Sequence, residues 1–163
     1  MRTVRIEAAS HLAGDLTTHL TGPQSKQYER VLGEYEEAMR YSADFAFGRY
    51  NLGNLYNDLG QTEKAIDSFE AAIRIDGAFY PAKANLALLY NRQGENRKAE
   101  RLLREVVAAQ PELYDMAYSL ALLLVEMQEY GEAVGFLEQA ANGLPQRARI
   151  QYNLGLLHQQ WQN

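Results

Sequence analysis

The pair Leu52-Gly53 recurs as Leu86-Ala87, Leu120-Ala121 and Leu154-Gly155, three successive intervals of 34 residues. A fixed period of about 20 to 50 residues marks a chain of stacked supersecondary units, none of which can bury its apolar face alone. A large side chain follows each small residue by three places, at Tyr56, Tyr90, Leu124 and His158. Those spacings share one face of a helix, and the small residue lets a second helix approach closely. Gly60 and Gly94 then stand seven places past the small residue, where a glycine with positive φ ends a helix. A second helix follows, with apolar marks at Ala65, Phe69 and Ala72, at Ala99, Leu103 and Val106, and at Ala133, Leu137 and Ala140. This i, i+4, i+7 spacing is the stripe of a helix that packs on its neighbour. Pro111 and Pro145, with Gly77 at the matching place, are expected in the first turn of the next helix. The predicted fold class is all-α, an α-α superhelix of helix pairs.

Composition removes several classes of function. Apolar residues make up 47% of the 163-residue chain, enough for a sizeable core. The formal charge of −5 disfavours a nucleic-acid partner, which is normally met by a clustered positive field. No apolar run approaches the roughly 20 residues of a spanning helix, so membrane insertion is not expected. The chain has no cysteine, which removes disulfides, thiolate nucleophiles and any CxxCH haem attachment. His11, His19 and His158 are scattered and lack a metal-binding spacing. The serines Ser25, Ser42, Ser68 and Ser119 have no nucleophile-elbow context, and no phosphate-cradling Gly-rich loop occurs. The reading is of a chain that is not an enzyme, with no catalytic residue, metal or cofactor of its own.

The order small residue, large residue, Gly, Ala, Phe or Leu, Ala, Pro at period 34 resembles the tetratricopeptide repeat, from Pro23 to the end. On that resemblance 23–163 forms one domain. It comprises a degenerate unit 23–45, full units 46–79, 80–113 and 114–147, and a partial unit 148–163. Val31, Tyr35 and Ala38 continue the second-helix register upstream, so "QSKQYERVLGEYEEAMRYS" reads as a second helix. There are departures from the pattern. Gln128 stands where the helix-stopping Gly belongs, which is expected to loosen that turn. Arg49, Lys83 and Ala117 replace a Trp expected early in each first helix. The last helix is expected to leave Leu154, Leu157 and Trp161 uncovered, which suggests a homo-dimer through that surface.

Residues 1–22 form a separate segment, in which "VRIEAASHLAG" resembles the second helix of a HEAT repeat and equally fits an ordinary capping helix. The order of this segment, then "EYEEAMRYSADFAFGRYNLGNLY", then "FYPAKANLALLYNRQGENRKAERLLREVVAAQP", resembles the C-terminal part of bacterial multihaem cytochrome c proteins. That resemblance implies a periplasmic location and haem in a longer parent protein. Without it a cytoplasmic location is expected.

Tetratricopeptide units present a concave wall of first helices. The resemblance places on it the residues two before each small residue: Asn51, Asn85, Ser119 and Asn153. One place earlier stand Tyr50, Ala84, Tyr118 and Tyr152. Asparagine is a mediocre helix former, about 0.7 kcal/mol worse than Ala at most, so its recurrence suggests use. An amide offers both donor and acceptor and can grip the backbone of an extended peptide, while tyrosine adds flat amphipathic contact. The same amides can instead bond neighbouring backbone and set helix stacking, and both roles stay open. A subfamily that clamps C-terminal carboxylates wants cations where Tyr50, Asp115 and Ser119 stand, although Asn54 and Asn85 agree with it. The expected partner is therefore a protein or peptide, held by Tyr50, Asn51, Asn54, Asn85, Tyr118, Ser119, Tyr152 and Asn153.

Overall fold

A computed structural model describes residues 20–161, with side-chain surroundings defined for 20–159. The expected N-terminal helix, with His11 and His19, lies outside the described residues. Among those residues there are eight helices and no strand: α1 (Gly22–Tyr41), α2 (Ala46–Asp58), α3 (Thr62–Ile75), α4 (Tyr80–Arg92), α5 (Asn96–Ala109), α6 (Tyr114–Glu126), α7 (Tyr130–Gly143) and α8 (Ala148–Trp161). The all-α reading holds. The chain divides into two compact units, one up to Ala82 and one from Lys83 onward.

Three short turns end the first helices in one geometry. The Gly60 N–H donates to the Asn57 carbonyl at 3.0 Å and the Gln61 N–H to Tyr56 at 2.8 Å. Gly94 and Glu95 repeat the pair on Asn91 and Tyr90, both at 2.9 Å. This crossed pair satisfies carbonyls that the helix end leaves open and needs a left-handed residue at its centre. Gly60 and Gly94 supply it with φ of +69° and +77°. The expected loosening at Gln128 does not occur. Gln128 takes φ +62° and makes the same two bonds, Gln128 N–H to Val125 at 3.0 Å and Glu129 N–H to Leu124 at 2.8 Å. The departure appears as backbone strain and not as a lost bond.

The prolines differ from expectation. Pro111 and Pro145 precede α6 and α8 by three residues and occupy the second position of β-turns. Those turns are closed by Leu113 N–H on Gln110 and by Arg147 N–H on Leu144, each at 3.0 Å. Proline's fixed φ suits that position as well as it suits a helix start, and period alone could not separate the two. Gly77 sits at the matching place in a turn closed by Phe79 N–H on Asp76 at 3.0 Å.

In the first unit, α2 and α3 pack through Gly53. A Cβ built on Gly53 would lie 2.5 Å from the ring of Phe69, so the ring rests on bare backbone. Leu52, Leu55, Ala65 and Ala72 close the core around it. The α1 tyrosines Tyr28 and Tyr35 have phenol pKa values raised by burial and, second, by the Asp58 carboxylate.

In the second unit the equivalent positions are filled and buried: Leu86, Ala87 and Tyr90 on α4, and Leu120, Ala121 and Leu124 on α6. Leu103, Val106 and Leu137 are buried on the second helices. The two Trp replacements here are accommodated differently. Lys83 is buried and pairs with Glu105, whereas Ala117 is fully buried. A Cβ at Gly143 would overlap the Tyr114 ring, so α7 ends on a glycine that lets α6 begin against it. At the other end of α7, Arg97 bridges Glu100 at 2.9 Å and Glu129 at 2.7 Å, and Arg104 bridges Glu100 and Glu132, both at 2.8 Å. Burial raises the Glu100 pKa, but the hydrogen bonds from Arg104 and Arg97 outweigh it and hold the carboxyl below its ordinary value.

The α8 expectation needs correction. Leu157 is buried, as is Ile150 two turns earlier, because that stripe faces α7. Leu154 is half-buried, whereas Tyr152, Gly155 and Leu156 are exposed, and the Trp161 side chain lies outside those defined.

Thermal unfolding of three variants checks this packing. Gly53→Leu should cost about 1 to 3 kcal/mol or more, because it forces atoms into the Phe69 contact. Gly60→Ala should cost about 1 kcal/mol, the penalty of a left-handed alanine. Gln128→Gly should raise stability by about 1 kcal/mol by relieving that same penalty. Equal losses for the first two, or no gain for the third, would contradict the assignments.

Candidate functional site

The first-helix positions behave differently in the two units. In the first unit the Tyr50 ring is half-buried, with centroids 5.9 Å from Phe69 and 5.4 Å from Phe79. Asn51 and Asn54 are half-buried, and the Asn51 amide nitrogen donates to Met39 Sδ at 3.5 Å, a weak acceptor. The most exposed large apolar side chains of this unit, Tyr41, Phe45 and Phe47, lie around the α1–α2 turn.

In the second unit Asn153 and Tyr118 meet. Asn153 Nδ2 on α8 donates to the Tyr118 hydroxyl on α6 at 2.9 Å, which joins two first helices and leaves Oδ1 as the amide's acceptor. Tyr152, beside Asn153, is 66% exposed. The Ser119 hydroxyl donates to the Asp115 carbonyl at 2.9 Å, a bond to its own helix that occupies its donor. Asp115 pairs with Arg147. Asn85 on α4 is half-buried.

Beside Asn153 is an open pocket of about 180 Å³, lined also by Leu122, Val125, Leu137, Leu156 and Leu157. Leu122 and Leu156 belong to a further row: Leu88, Leu122 and Leu156 stand one place after the small residue at the 34-residue period. The signal was present in the sequence but hidden, because leucine in a helix is normally read as core. Leu88 and Leu122 are half-buried, and Leu156 is 40% exposed.

Among the described residues no group of three or more His, Asp or Glu is placed to hold a metal ion. No helix there is long and apolar enough to cross a membrane. The strongest charge clusters are ion pairs that tie helices together.

Two family models described as tetratricopeptide repeat match residues 46–79 and 85–148, together more than half of the chain. A solved MamA shares the fold with a TM-score of 0.72 at 20% identity, over 86% of this chain and 85% of that one. MamA 41-end from Desulfovibrio magneticus RS-1 has a TM-score of 0.74 at 17% identity, over 99% and 85%. YrrB, described as a TPR protein with an unusual peptide-binding site, has 0.73 at 20% identity, over 98% and 77%. No curated protein matches in sequence. The repeated Leu-small face, the glycine-type turns and the matching models agree, and the chain belongs to the tetratricopeptide-repeat family.

Proposed function

We propose that the chain is a non-catalytic interaction scaffold that holds an extended protein segment against its first helices. The observation that carries this reading is the Asn153–Tyr118 hydrogen bond, which links two first helices next to an exposed tyrosine and an open pocket. A peptide backbone needs an acceptor for its N–H groups and flat amphipathic area for its side chains, and this surface supplies both. The peptide-binding site of YrrB supports the same ligand class. Binding surfaces of this kind need no titrating group, metal or nucleophile.

Two finer readings have narrower support. A docking role beside haem-bearing segments of a longer, periplasmic parent rests on the order of sequence segments alone, and an absorption spectrum of that parent would decide it. Self-association through α8 is supported by the exposed Tyr152, Gly155 and Leu156, and sedimentation equilibrium would decide it.

Selection of random dodecapeptides displayed on phage against the full chain tests the scaffold. The double variant Asn85→Ala, Asn153→Ala should bind the selected peptides on the order of tenfold more weakly, as expected for net losses of about 0.5 to 1.5 kcal/mol per hydrogen bond. Its thermal midpoint should stay near that of the parent. Unchanged affinity, or a variant that melts far below the parent, would assign the asparagines to structure.

A further inference from the structure

We infer that the pocket between α6, α7 and α8 is the anchor site for one aliphatic side chain of the bound segment, and that a basic residue of that segment lies at its Glu126 end. The inference rests on the scaffold reading and names the ligand's chemistry. The pocket walls are Leu122, Val125, Leu137, Leu156 and Leu157, with Asn153 the one polar group among them. Its volume of about 180 Å³ compares with the roughly 150 Å³ of an apolar cavity that takes benzene. A leucine-sized side chain fits and a charged one has no partner inside. Asn153 is held by its donation to Tyr118, so its carbonyl oxygen is available to a backbone N–H beside the anchor. An apolar pocket with one convergent polar group is the usual form of a specific site.

Charge supplies the second half of the argument. Glu126 is exposed at the end of α6, one turn after Leu122, and its carboxylate is fixed by Asn91 Nδ2 at 3.1 Å. Arg149, also exposed, stands one turn before Asn153 on α8. The Asp115–Arg147 pair is neutral as a whole. The two ends of the site therefore differ in sign, and a ligand cation is favoured at the Glu126 end. The net charge of −5 adds a long-range field of the same preference.

Amide chemical shifts of the full chain, titrated with capped Gly/Ser decapeptides that carry one Leu-Lys pair, test the anchor. The Leu-Lys peptide should move the Leu122, Asn153 and Leu156 resonances. Replacing its Leu by Ala should weaken binding about tenfold, as the loss of several buried methylenes requires. Replacing its Lys by Glu should weaken it a few-fold, and less so at high salt. Leu156→Gln should bind the Leu-Lys peptide about tenfold more weakly with an unchanged thermal midpoint, since Leu156 is partly exposed and glutamine is a good helix former. If Leu and Ala peptides move Asn153 equally, or Leu156→Gln binds like the parent, the anchor is overturned while the scaffold stands. If no peptide moves any first-helix resonance, both fall.

Discussion

The Phe69 ring lies directly on the backbone of Gly53, and the remaining features follow from that approach. Two helices that meet so closely exclude water from both faces, and dispersion contacts grow with each atom in range. The small residue permits the approach, the leucine before it and the large residue three places on flank it, and the second helix supplies the side chain that covers it. In α4 and α6 alanine takes the glycine's place, and Ala87 and Ala121 are fully buried. Gly155 in α8 is exposed and, among the described residues, has nothing within 4 Å of where a Cβ would be.

On the proposed scaffold reading, the side of the first helices away from the small-residue face is the one that meets a ligand. Packing and ligand contact compete for the same side chains: the half-buried Tyr50 ring already meets Phe69 and Phe79. Tyr118 and Asn153 are also half-buried. They bond to each other across two helices, so their polar atoms are pre-ordered at a surface. Fixing side chains before binding lowers the entropy cost of association. The ion pairs serve a different purpose. Arg97 and Arg104 share Glu100 and reach Glu129 and Glu132, so they brace α5 against the start of α7.

Much of this architecture was legible in the sequence because it repeats. A period of 34 residues identifies the helix pairs, and a glycine seven places past the small residue identifies their turns. What repeats less was harder to see. Gln128 holds a glycine's conformation without being glycine, and only the backbone reveals it. The fit of Tyr114 on Gly143 joins residues 29 apart that share no motif. Pro111 and Pro145 satisfy either a helix start or a turn, so their place depended on where the helix began. The asparagines of the proposed binding surface stood out because asparagine is a mediocre helix former. The row Leu88, Leu122 and Leu156 did not, because leucine on a helix is ordinary and exposure is invisible in sequence.

Site-resolved hydrogen exchange of the parent chain tests the central claim, that the covering of the small residue by a second helix holds each pair together. Exchange reports local opening, and elements covered on one side open before those covered on both. The amides around Gly53, Ala87 and Ala121 should exchange slowest, and those around Gly155 at least about tenfold faster. If α8 is instead protected as strongly as α2, α4 and α6, the covered small residue is not what stabilises these helices.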